Sequence, residues 1–181
     1  MNIYGGKQMA ASFRTVRKNT IIIAEEIGEE HYGFRPFPAS RSVAETLIHM
    51  ATITRFPHQI HAVDHASDLS SFDFMGFFGG LIVIEKTPHT KQQVVGLLKE
   101  EGERYASWLE SLSDEFLAEV VTQSPMGGGG TKTRFEMLLG PKEHEMHHRG
   151  QLMLTERLLG ITPHLTRQFE ERIKAMQAGK A

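Results

Sequence analysis

Three segments of this chain open in the same way: Ser42-Val43-Ala44-Glu45, Thr90-Lys91-Gln92-Gln93 and Thr133-Arg134-Phe135-Glu136. In each, a hydroxyl residue stands three places before Glu or Gln, so the two side chains can satisfy the free amide donors at a helix start. Each box leads into an apolar stripe. Val94, Leu97, Leu98, Tyr105, Trp108, Leu109 and Leu112 follow the second, the clearest helix in the chain. The third helix should reach Leu159 and stop at Gly160. Ahead of all three, Met9, Phe13, Val16, Ile21 and Ala24 form a further stripe from about Lys7 to Ile27, ending at Gly28. Four substantial helices without strand alternation predict an all-α fold, a four-helix bundle with antiparallel or crossover connections.

The breakers subdivide this plan. Pro36 and Pro38 mark a turn, and Pro57 should kink or stop the second helix by removing an amide donor and crowding the preceding turn. Gly140-Pro141 should bend the last long helix. Residues 66–88, rich in Gly and carrying Phe72, Phe74, Phe77 and Phe78, read as a long loop or short helix, a lid over the core. Val120 and Val121 suggest a strand before the Gly127 to Gly130 turn, and the tail after Pro163 a short fifth helix. With 181 residues, no repeat and no second composition class, one domain spanning 1–181 is expected.

Lys and Arg number 20 against 22 Asp and Glu, for a net charge of −2, and no long basic run could follow a phosphate backbone. Nucleic acid is therefore not expected as a partner. The most apolar run, Gly76 to Ile84, is too short to span a membrane, and the first residues hold no apolar signal core. Cysteine is absent, which suits a reducing cytoplasm and leaves any metal site to nitrogen and oxygen donors.

His144 and His148 are such donors. Four residues apart on a helix, they lie about 40° apart and one turn along, close enough to grip one ion. Leu152 extends the stripe by a turn, placing both on the core face, where neutral imidazoles need a partner. Taken bare, such a pair is more often a surface feature than a metal site. A third ligand must come from another helix, and His49, among Ile48, Met50 and Ile53, is the best candidate, its plainer reading being a hydrogen-bonded core histidine. Three imidazoles would leave a coordination position for water or substrate. They suit zinc, nickel, iron and copper alike.

Two segments, Ser42-Val43-Ala44-Glu45-Thr46-Leu47-Ile48-His49 and His144-Glu145-Met146-His147-His148-Arg149-Gly150-Gln151-Leu152, resemble the DinB/YfiT-like family of metalloenzymes. The resemblance implies a four-helix bundle, a divalent transition metal, zinc or nickel foremost, on His49, His144 and His148, and a homodimer. It also implies a small-molecule substrate, with low-molecular-weight thiols used by members of known activity. A metal-dependent thiol transferase or hydrolase is expected, the alternative being a non-catalytic metal-binding stress-response protein. Where that family often carries tryptophan before the serine, this chain has Arg41.

His144-Glu145-x-x-His148 also reads as a zincin pattern with Glu145 as general base. The metzincin continuation is absent, since Gln151 and Leu154 hold its glycine and histidine places; a downstream carboxylate ligand, Glu170 or Glu171, stays open by spacing. Glu145 and Gln151 are the candidates for residues backing the ligands. His58, His61 and His65, with Asp64 beside them, form another stripe, read as a solvated polar face that cannot share an ion with His49. His147 and Arg149 should make surface or ligand-supporting hydrogen bonds, and Gly150 should allow close helix packing.

Overall fold

The computed structural model describes residues 4–178. Its bundle is formed by α1 (Gly6–Glu26), α2 (Val43–Thr52), α5 (Lys91–Glu110) and α7 (Arg134–Leu158). Three shorter helices join them: α3 (Arg55–His58), α4 (Phe74–Lys86) and α6 (Asp114–Ala118). A last helix, α8 (His164–Ala178), follows the bundle. Both α1 and α2 pack on α5 and α7, and α4 flanks α2.

All three capping boxes form. The Ser42 amide donates to Glu45 at 2.8 Å, that of Thr90 to Gln93 at 2.8 Å and that of Thr133 to Glu136 at 2.7 Å, and each hydroxyl accepts from the amide three residues on. Gly160, in the left-handed region at φ 78°, follows the end of α7, a conformation glycine adopts without a Cβ clash.

Pro57 and Pro141 act differently. α2 ends at Thr52, and the chain resumes as α3 and then a π turn over Gln59–Val63. The break at Ile53 and Thr54 falls where the Pro57 ring would meet the carbonyl four residues earlier. α7 runs uninterrupted through Gly140 and Pro141, so the proline does not divide that helix. Val120–Thr122 pairs antiparallel with Thr131–Thr133, making β1 and β2 of a small hairpin closed by the glycine turn.

The expected lid is the regular helix α4, a wall of the bundle. Phe72, Phe74, Phe77 and Phe78 ring Phe56, with centroid separations of 5.1 to 5.7 Å. They are part of this molecule's packing rather than apolar surface to spare. The exposed large apolar residues of α4 are Met75, Ile82 and Val83. No helix among the described residues is long and apolar enough to cross a membrane.

The core has two apolar ends. One gathers Ile23, Ile27, Leu47, Ile48, Leu98 and Leu152; the other gathers Met9, Phe13, Tyr105, Leu109 and Leu138. Between them along α1 and α7 lies a buried ion pair, Arg17 with Glu145 at 2.9 Å.

Candidate metal centre

Ser42 starts α2 so that His49 comes two turns in, and Thr133 starts α7 so that His144 and His148, one turn apart, lie along the stripe that continues to buried Leu152. The two helices pack together, and the three imidazoles meet. Nε2 of His144 lies 3.2 Å from Nε2 of His49 and 3.2 Å from Nε2 of His148. One ring nitrogen from each lies within 4.8 Å of the others. Two ligands at about 2.05 Å from one ion in tetrahedral geometry would stand about 3.3 Å apart, so the spacing fits a single transition metal.

The electrostatics favour neutral rings. Burial pushes His49 down to about 3, and the positive charge of Arg41 acts in the same direction. Burial pushes His144 down to about 4, with His148 and His147 adding to it. Burial also lowers His148, opposed by its hydrogen bond with Gln151. Neutral imidazoles keep a nitrogen lone pair free for a cation.

What holds the rings differs from ring to ring. Nδ1 of His148 sits 2.8 Å from Oε1 of Gln151, which supports that ring as the sequence suggested, while Nε2 of Gln151 reaches the exposed His147 at 3.1 Å. Nδ1 of His49 faces Oε2 of Glu85 at 3.4 Å, and Nε of Arg41 donates to Oε1 of the same carboxylate at 2.8 Å. A carboxylate this near favours the tautomer protonated on Nδ1, leaving the Nε2 lone pair turned inward. By itself it would also favour a charged ring, but burial and Arg41 outweigh it. Nδ1 of His144 is buried without a partner. Sequence reasoning missed Glu85; the available signal was a carboxylate closing the apolar run of α4.

Glu145 is not at this site. One residue beyond His144, it is turned about 100° around the helix and points to α1. Its carboxylate takes three contacts from Arg17, at 2.9, 3.1 and 2.9 Å, and a hydrogen bond from Thr20 at 2.8 Å. Its carboxylate is thus taken up by Arg17 and Thr20 on the α1 side and makes no hydrogen bond to His49, His144 or His148 among the described residues. No carboxylate joins the three-histidine group among the described residues, and Glu170 and Glu171 lie exposed on α8.

The other histidine stripe is not a solvated face. His61 is buried, its Nδ1 2.7 Å from Nη1 of Arg134; His58 packs edge-on against Trp108 at 5.3 Å; His65 alone is exposed with Asp64. The π turn rotates His61 inward, which a straight helical projection does not foresee. Gly150 is also exposed, and a side chain there would meet nothing, so it serves no close helix packing.

A cleft of about 870 Å³ opens beside the histidines, with His148, Gln151, Glu85 and Arg41 in its lining. Arg41 thus faces the cleft in place of packing as an aromatic ring would.

The comparisons agree with this architecture. Residues 12–152 match the family profile described as the DinB superfamily. The chain is 28% identical over 155 residues to the uncharacterized protein YjoA of Bacillus subtilis (strain 168), covering 86% of this chain and 91% of YjoA. The crystal structure of that DinB-like protein superposes with a TM-score of 0.63 at 26% identity, over 86% of this chain and 94% of that one. A putative DinB family member from Exiguobacterium sibiricum gives 0.61 at 21% identity, over 88% and 95%. YfiT from Bacillus subtilis, described as a probable metal-dependent hydrolase with an unusual four-helix bundle topology, gives 0.68 at 13% identity, over 90% and 91%. With its family profile matched over most of its length and its helices arranged as in these relatives, the chain belongs to the DinB superfamily.

Proposed function

We propose that this protein is a metal-dependent enzyme acting on a small molecule, a hydrolase or a thiol transferase, with zinc or nickel held by Nε2 of His49, His144 and His148. The observation that carries this reading is the 3.2 Å spacing of neutral imidazole nitrogens beside an open cleft. Three nitrogen donors leave a coordination position free, as catalytic zinc sites do and structural ones do not. The metal, when bound, supplies a Lewis acid that lowers the pKa of a coordinated water or thiol. Glu85 and Gln151 keep two of the rings oriented, and the cleft admits the substrate beside His148. A non-catalytic metal binder would have no need of such an opening. YfiT, of the same fold, carries a description of the same kind.

Elemental analysis of untagged protein, followed by hydrolysis and thiol-transfer assays on the loaded form, tests the proposal. One metal per chain and turnover that disappears on chelation and returns with metal are expected. Protein that takes up no zinc or nickel would overturn it.

A further inference from the structure

The lining of the cleft is mixed. Pro36, Pro38, Val43, Ile82, Leu152 and Leu154 give it apolar surface, and Arg35, Arg41 and Lys86 bring positive charge to it. The three cations are not equivalent. Arg35 is engaged at both terminal nitrogens: Nη1 donates to Glu45 and to the Ser40 carbonyl, each at 2.6 Å, and Nη2 donates to Glu45 at 2.7 Å. Lys86 donates to the same Glu45 carboxylate at 2.9 Å. Arg41 makes its bond to Glu85 through Nε alone, and among the described residues Nη1 and Nη2 have no partner.

The bond to Glu85 holds the Arg41 guanidinium in place while its outer fork stays open to the cleft. A guanidinium presents paired donors that match the two oxygens of a planar carboxylate. The same Glu85 carboxylate lies against His49, so an anion on the fork sits within a small molecule's length of the three-histidine cluster. Charge adds to the match in the metal-free protein. There Arg35, Arg41 and Lys86 against Glu45 and Glu85 leave one net positive charge, which suits a monoanion; a phosphate monoester, close to a dianion at neutral pH, would leave excess negative charge.

We propose that the cleft takes a small molecule with an apolar body and one carboxylate, and that Nη1 and Nη2 of Arg41 bind this carboxylate. This rests on the cleft beside the histidines being the reaction site, and it names the substrate class for that site. Arg41 is a binding residue here, directing the far end of the substrate towards His148.

The test uses metal-free protein, so that a carboxylate cannot score by ligating an ion. Calorimetric or ligand-observed NMR titrations with 4-phenylbutyrate, its neutral amide and phenyl phosphate would compare wild type, Arg41→Lys and Arg41→Gln, then be repeated with zinc. The carboxylate should bind wild type at least about tenfold more tightly than Arg41→Gln, equivalent to about 1.4 kcal/mol. Arg41→Lys, which keeps the charge and loses the fork, should fall between them. The amide should not distinguish the three proteins. Equal carboxylate affinities, no saturable binding to wild type up to the solubility limit, or phenyl phosphate binding more tightly through Arg41 would each overturn the proposal. So would carboxylate binding that requires zinc and ignores Arg41. Failure to take up zinc would overturn the metal reading instead, leaving the metal-free comparison to decide on Arg41.

Discussion

Replacing Glu145 with alanine separates the motif from the molecule. In the His-Glu-x-x-His reading this glutamate is a catalytic base, and its loss should cost turnover without costing stability. In the structure it is the counter-charge of Arg17, itself only 3% exposed. The substitution removes three guanidinium contacts and the Thr20 bond, leaving Arg17 with two carbonyl acceptors, Leu98 at 2.8 Å and Met50 at 2.8 Å, and no anion. Breaking a buried pair from one side costs about 3 to 5 kcal/mol, because an uncompensated charge stays behind. For a chain of this size each kcal/mol moves the melting temperature by about 2 to 4 °C, so a fall of about 6 to 20 °C is expected. Thermal melts followed by circular dichroism read this directly. Glu145→Gln, which keeps the shape and loses the charge, should fall between, and zinc stoichiometry below the melt should match wild type. A Glu145→Ala protein that melts within about 1 kcal/mol of wild type yet has lost turnover would refute the reasoning and restore the carboxylate to the chemistry.

Glu156 is fully buried with neither oxygen partnered, and burial together with Glu26 pushes its carboxyl up to about 7. A raised native pKa favours the protonated acid, so its stabilising contribution is complete below about 4.5 and is lost as pH rises through about 7. Glu156→Gln should therefore be more stable than wild type at pH 8, by about 1 to 3 kcal/mol, with the gap closing in acid; denaturant melts at the two pH values measure it. His148→Ala should abolish tight zinc binding in equilibrium dialysis while the far-ultraviolet spectrum stays helical; outright unfolding would make the metal a structural staple. Glu85→Gln should weaken zinc by about 10- to 100-fold, the usual effect of losing a carboxylate beside a ligand's outer nitrogen, and unchanged affinity would show that Glu85 does not hold His49. The homodimer expected from the resemblance would need an apolar face, to which Met75 and Val83 on α4, outside the cleft, would contribute; sedimentation showing a monomer at micromolar concentration would remove it.

The bundle was legible because its signals are local. A capping box needs only four consecutive residues, and an apolar stripe only the 3.6-residue period, so Ser42, Thr90 and Thr133 announced three helices and Gly160 announced an end. The pairing of His144 with His148 was equally local, since one helix dictates their spacing. His49 required the further assumption that α2 faces α7, which the resemblance supplied and the packing of the two helices bears out.

Other features depend on contacts distant in sequence. Glu85 reaches His49 only because α4 lies against α2, and Arg41 reaches Glu85 across the same junction. Glu145 looked catalytic by spacing, but a turn of about 100° from His144 carries it to Arg17, 128 residues away in the chain. His61 looked solvated until the π turn rotated it onto Arg134. Sequence by itself thus determined the four helices of the bundle and the residues able to bind a metal, because propensity, capping and period act over a few residues. Tertiary structure alone decided which carboxylate supports a histidine, which is locked in an ion pair and which cation faces the cleft, because those roles depend on which helix faces come to share one low-dielectric interior.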